Sequence, residues 1–139
     1  MTCELCALQA EPIWRGDKLS VIAVDEENYP GFCRVVWNAH VKEMTDLAPA
    51  DRALVMDAVW KVEEAVREVM EPQKVNLASL GNMTPHLHWH VIPRYADDAQ
   101  WPSPVWVAAA RVANPAALEL RRARLPRLAA AIRTRMEQA

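Results

Sequence analysis

No stretch of this 139-residue chain approaches the roughly 18–20 consecutive apolar residues that span a bilayer, and no membrane-spanning helix is expected. The opening residues, Met1-Thr2-Cys3-Glu4-Leu5-Cys6, hold neither the basic segment nor the apolar core of a secretory leader. Cysteine is scarce and odd in number at three residues. Without a leader, that count argues against a disulfide framework and for a reducing compartment, so a cytoplasmic location is expected. Positive charge is also short in the body of the chain, where residues 1–107 carry nine Lys or Arg against sixteen Asp or Glu. A nucleic-acid reader would show a basic stripe, so nucleic acid is not expected as a partner. No internal repeat is present, and no low-complexity segment beyond an Ala/Arg bias in the tail.

With 52% hydrophobic and 24% charged residues, the chain is long enough to bury one core without disulfide staples. Residues 18–24 are strand-like, 25–31 supply a turn, and 32–37 form a second strand. Residues 12–17 read as a short first strand and turn. From Pro49 to Met70 the period changes: Val55, Val59, Val62, Val66 and Val69 recur at helical spacing. Pro49 suits a first helical turn, and Pro72 keeps the helix from continuing. Val75–Leu80 reads as a strand, 81–85 as a turn, and a further strand comes next, joined tightly enough to be an antiparallel hairpin. After Arg94 the text is loop-like. Asn114 and Pro115 signal a second helical segment, which Pro126 should break or kink, with Leu128, Ile132 and Met136 continuing an apolar stripe. Composition shifts after Val107: residues 108–139 carry seven Arg against two Glu, read as the solvated face of a basic C-terminal helical extension.

Histidine is rare, and three of the four occur in one run, His86-Leu87-His88-Trp89-His90-Val91-Ile92-Pro93-Arg94. In an extended strand side chains alternate faces, so His86, His88 and His90 would line one face and Leu87, Trp89 and Val91 the other. Strands favour β-branched and aromatic residues, and each buried ring nitrogen needs a partner. A row of three imidazoles therefore points either to a metal site or to a nucleophile with supporting acid/base groups.

The run resembles the His-φ-His-φ-His-φ-φ signature of the histidine triad (HIT) superfamily of nucleotide hydrolases and transferases. The resemblance extends over roughly residues 3–95, through Val24-Asp25, Pro30-Gly31, Val35-Val36-Trp37-Asn38-Ala39-His40, the long helix and the Gly81 turn. The Val91-Ile92-Pro93-Arg94 ending is more like the fragile-histidine and bacterial branches. It implies an α+β fold, with an antiparallel half-barrel sheet of about five strands packed on one long helix. Residues 1–107 would form this HIT-like domain and 108–139 the extension. It also implies a homodimer whose sheets join across a two-fold axis. The implied activity is a hydrolase or nucleotidyltransferase acting at the α-phosphate of a purine nucleotide conjugate, such as a phosphoramidate or dinucleoside polyphosphate. His88 would form a nucleotidyl-histidine intermediate, with His86 and His90 as its catalytic partners and His90 on the phosphate. Asp25 would hold ribose hydroxyls, or else be a plain turn acid. The commoner family pattern has Gln and then Ser or Thr after the glycine, where this chain has Asn82, Met83, Thr84 and Pro85. Asn82 and Thr84 remain the nucleotide-binding candidates there, whereas Met83 cannot donate a hydrogen bond.

Cys3-Glu4-Leu5-Cys6 alone could be a redox pair, half a zinc site or two packed thiols. No thioredoxin-like surroundings support redox chemistry, and no redox cofactor is expected. By resemblance to zinc-holding relatives, Cys3, Cys6, His40 and His86 form a Cys₂His₂ set for a structural zinc. Cys33 is left as a small buried hydrophobe. Two alternatives stand beside the nucleophile. One is a metal-dependent hydrolase with the three histidines on one catalytic metal, though Cβ atoms roughly 6.6–7 Å apart along a strand suit a compact tripod poorly. The other is a non-catalytic nucleotide-binding module.

Overall fold

The computed structural model describes residues 3–8 and 11–138. Five strands form one sheet: β1 (Trp14–Arg15), β2 (Leu19–Ala23), β3 (Cys33–Trp37), β4 (Lys74–Ala78) and β5 (His88–Arg94). Their spatial order is β1-β2-β3-β5-β4, and every neighbouring pair is antiparallel. Helix α1 (Pro49–Met70) packs on one face, and α2 (Pro115–Arg122) and α3 (Leu125–Met136) come after the sheet. This is the α+β architecture that the sequence implies. No helix among the described residues is long and apolar enough to cross a membrane.

Helix α1 has the bounds its valine spacing predicts, with Pro49 in its first turn and Glu71 closing it in the left-handed conformation. Val55, Val59, Val62, Val66 and Val69 are buried against Leu19, Val21, Cys33, Val35 and Val91 of the sheet. Burying one such side chain is worth on the order of 1.5–3 kcal/mol, so this seam holds the sheet to the helix. Gly31, at φ +93°, lets the β2–β3 turn press on the end of α1: a Cβ there would lie 3.1 Å from the Met70 side chain.

Three expectations need correction. The histidine strand begins at His88 rather than His86 and runs on to Arg94. Pro85 brings no N–H, and the His86 N–H turns back to the Thr84 carbonyl at 2.8 Å instead of entering the ladder. The break expected at Pro126 falls at Ala123–Arg124, and Pro126 sits in the first turn of α3, where a missing N–H costs nothing. The tail's arginines are not merely solvated. Arg135 reaches Glu64 and Glu68 on the outer face of α1, Arg121 pairs with Asp97, and Arg124 and Arg133 donate to the Met70 and Ile13 carbonyls. Leu128 and Ile132 of α3 belong to the same core as the sheet and α1, so the extension packs on its own chain.

The antiparallel register sorts side chains onto two faces. Opposite α1, one row runs Ile22, Arg34, His90, Ala78 across β2, β3, β5 and β4, and the row beside it runs Ser20, Val36, His88. The long connection 95–113 folds over this second face.

Candidate functional site

The three histidines part company at the start of β5. The ring of His86 is fully buried between a backbone carbonyl and the N-terminal turn. Its Nε2 lies 2.5 Å from the Trp37 carbonyl, which marks Nε2 as the donor and leaves Nδ1 its lone pair. That Nδ1 faces Cys3 Sγ at 3.4 Å, Cys6 Sγ at 3.4 Å and His40 Nδ1 at 3.2 Å. Cys6 Sγ lies 3.3 Å from His40 Nδ1, and the four donor atoms all fall within 4.8 Å of one another. Two thiolates and two imidazoles about a tetrahedral zinc would stand roughly 3.3–3.8 Å apart, given Zn–N near 2.1 Å and Zn–S near 2.3 Å. The donor set, the spacing and the carbonyl that orients His86 all fit a metal, and the cluster can hold one. With both ring nitrogens engaged, His86 does not face the other two imidazoles, contrary to the expected row of three.

His88 and His90 do share a face, their rings edge to face with centroids 4.8 Å apart. His88 Nδ1 donates to the His86 carbonyl at 2.6 Å, which fixes the tautomer and frees the Nε2 lone pair. Burial holds the His88 imidazole below its ordinary pKa, with Arg34 and His86 adding to the effect and the His86 carbonyl opposing it. Burial, then His88 and Arg34, push His90 down to about 4. Both rings are therefore neutral near pH 7. His90 Nδ1 is buried with no hydrogen-bond partner, and the ring is flanked by Phe32 at 5.5 Å and Trp106 at 5.2 Å. The pair offers an unprotonated nitrogen with a fixed direction beside a second neutral imidazole, a nucleophile and a partner for an electrophilic centre.

The segment 95–113, irregular in sequence, is tied down by a buried ion pair that spacing alone gave no reason to single out. Arg94 Nε and Nη2 donate to the two oxygens of Asp98 at 2.8 and 3.0 Å, and further bonds reach Asn76 and the Ser103 carbonyl. Asp98 also accepts from the N–H groups of Tyr95, Gln100 and Trp101 and from the Tyr29 hydroxyl. Arg94, together with the backbone N–H bonds, holds its carboxyl below the ordinary range against the opposing effect of burial. Arg111 closes the strap by donating to the Asp98 and Trp101 carbonyls. The result places Trp106, half exposed, on the edge of His90. An acid four residues after Arg94 was the available signal, but the same spacing is common on surfaces.

Two clefts are lined in part by neighbours of His90: Arg34 in one, and Ala78 with Trp106 in the other. One, of about 410 Å³, is lined by Glu4, Leu5, Ile22, Val24, Asp25 and Arg34, among others. The second, of about 450 Å³, lies on the β4 side between Lys74, Asn76 and Ala78 and the strap residues Trp101, Pro104 and Trp106. Asp25 is exposed at the rim of the first. Asn82 is exposed and forms no hydrogen bond among the described residues. Thr84 is not turned to the histidines: its hydroxyl donates to Glu4 at 3.2 Å, fastening the 81–85 turn to the Cys-x-x-Cys turn.

Residues 10–97 match the HIT domain family, and the chain belongs to that family. A histidine triad protein from Bradyrhizobium japonicum is 29% identical, with a TM-score of 0.72 over 90% of this chain and 89% of that one. A histidine triad protein from Sinorhizobium meliloti is 26% identical, with a TM-score of 0.73 over 97% and 96%. An AP-4-A phosphorylase from Mycobacterium tuberculosis is 31% identical over a 78-residue alignment that covers 52% of this chain. The match spans only 40% of that relative's length.

Proposed function

We propose that the chain is a nucleotide hydrolase or nucleotidyltransferase acting at the α-phosphate of a purine nucleotide conjugate. The observation that carries this reading is the 2.6 Å bond from His88 Nδ1 to the His86 carbonyl, which aims a free Nε2 out of a buried, neutral ring. In the first step Nε2 attacks the α-phosphorus; the P–N bond forms as the bond to the leaving group breaks. The leaving group takes its proton from solvent, and His90, neutral and beside the reacting nitrogen, contacts the phosphate oxygens. Water or another acceptor then attacks phosphorus, the P–N bond breaks, and the acceptor's proton is released to solvent. The strap and the sheet hold both imidazoles away from bulk water, which strengthens these contacts.

Asp25 at the rim of the first cleft suits ribose hydroxyls, with the apolar walls Leu5, Ile22 and Val24 for the base. The second cleft, on the far side of the pair, suits the leaving group. Its half-exposed Trp106 favours an aromatic one, as in a dinucleoside polyphosphate, over a small amine. Asn82 sits at the turn that would close over the phosphate, and Thr84 fastens that turn to Glu4. Zinc on Cys3, Cys6, His40 and His86 would crosslink the N-terminal turn to the sheet, a structural duty that takes no part in the reaction. A homodimer is part of the same reading, with the outer edge of β4, where Leu77 is partly exposed, as the pairing edge.

The test is to trap the intermediate. Brief incubation with an adenosine phosphoramidate or diadenosine polyphosphate, then acid-free mass spectrometry, should show one adenylyl group on the peptide containing His88. Turnover by His88→Ala with no adduct in the unaltered protein would defeat the mechanism.

A further inference from the structure

Arg34 stands in the middle of the histidine face, and neither the motif nor the family resemblance gives it a role. Its register partner on β5 is His90 and on β2 is Ile22. Directly opposed residues of an antiparallel pair have Cβ atoms about 4.5–5.5 Å apart, so the arginine stem rises beside the His90 ring. The guanidinium lines the first cleft together with Asp25. It therefore stands between that cleft and His90, whose ring touches that of His88.

What marks the residue is its lack of partners. Arg34 Nε is buried with no hydrogen bond, and the guanidinium forms no ion pair among the described residues. Glu4 is the acid whose charge reaches it, and that carboxylate is engaged by Thr84 instead. Arg94 on the same face makes the comparison: three of its nitrogens all donate, to Asp98, Asn76 and Ser103. A partly buried cation facing two neutral imidazoles, with no ion-pair partner among the described residues, is costly to keep. A planar fork of donors fits the paired oxygens of a phosphoryl group.

We propose that Arg34 is a phosphate-binding residue. Its fork takes the non-bridging oxygens of the phosphoryl group presented to His88, and it holds that group between the nucleoside cleft and the histidine pair. No covalent bond to Arg34 is involved. The assignment rests on the nucleotide reading above and adds to it a recognition element for phosphate as distinct from nucleoside.

Calorimetric titration of AMP and of adenosine into the full chain separates the two. With Arg34→Gln, AMP should bind about 10- to 100-fold more weakly, while adenosine affinity stays within about twofold. Arg34→Lys, which keeps the charge and loses the fork, should fall between the two proteins for AMP. Equal weakening of AMP and adenosine would mean a structural role and overturn the assignment, as would AMP binding unchanged in Arg34→Gln. A wild-type chain that binds neither ligand would overturn the nucleotide reading and this assignment together.

Discussion

His86 and His88 are two residues apart, of the same type and on what looks like one strand face, yet they meet different chemistry. His86 is clamped at both ring nitrogens, by the Trp37 carbonyl and by the two thiols with His40. His88 is clamped at one nitrogen and open at the other. The ladder explains the difference, because β5 starts at His88 and only His88 and His90 project from it. Since the His86 carbonyl orients His88, the backbone of one centre is a working part of the other. Rigidity at the cysteine cluster therefore carries directly into the direction of the His88 ring.

Removing the open imidazole should have the largest effect. His88→Ala is expected to lower turnover of a nucleotide conjugate by about 10⁴-fold or more. Circular dichroism and metal content should stay unchanged, because the His88 ring touches the cluster only through the His86 carbonyl and all four donor side chains remain. Next comes the strap. Asp98 and Arg94 are 1% and 3% exposed at the side chain, and Asp98→Ala leaves an uncompensated buried guanidinium. Breaking such a pair costs about 3–5 kcal/mol, to be read by denaturant unfolding, with a change in Trp106 fluorescence as the strap loosens.

Breaking the clamped side instead should act on stability before chemistry. Protein purified without added metal is expected to carry one zinc per chain, lost in Cys6→Ser or His40→Ala. Losing about 2 kcal/mol would lower Tm by roughly 6–12 °C for a chain of this size. Zinc-free protein with the same Tm as the loaded form would remove the structural role. A subtler split should appear with pH. His88 and His90 both have folded pKa values below the unfolded value, His90 at about 4, so the unfolded chain binds more protons between about pH 4 and 6.5. Their contribution to stability is complete above about pH 6.5 and is lost as pH falls through that window. The acid limb of kcat/KM should accordingly lie below the ordinary imidazole range, and a limb centred above pH 7 would contradict the neutral pair. The smallest change is expected from Trp106→Ala, a several-fold rise in KM for a dinucleotide and little change for a conjugate with a small leaving group.

Much of the fold was legible because its signals are local. Valine spacing and a flanking proline gave α1 its bounds, and turn residues separated β2 from β3. Strand ends were less legible. Whether His86 pairs in the ladder depends on where the Thr84, Val41 and Trp37 backbone groups lie, and no periodicity reports that. The metal candidates Cys3, Cys6, His40 and His86 came from resemblance and meet in space. Thr84 went to Glu4 rather than to the phosphate side, since the N-terminal turn that carries Glu4 is brought there only by folding. Arg34 gave no signal, because one arginine in an apolar strand is read as outward-facing until its neighbours are known.

Residue chemistry and short-range period are properties of the chain itself, so the sequence by itself determined the helix, the antiparallel hairpin, the identity of the nucleophile candidate and the family. Only the tertiary structure decided which imidazole is clamped and which is open, where the 95–113 strap lands, and that Arg34 beside His90 forms no ion pair among the described residues. Those outcomes depend on contacts between residues up to 83 positions apart, such as Cys3 with His86. The free energy of a buried polar group is set by which partner reaches it across the core, and not by its neighbours along the chain.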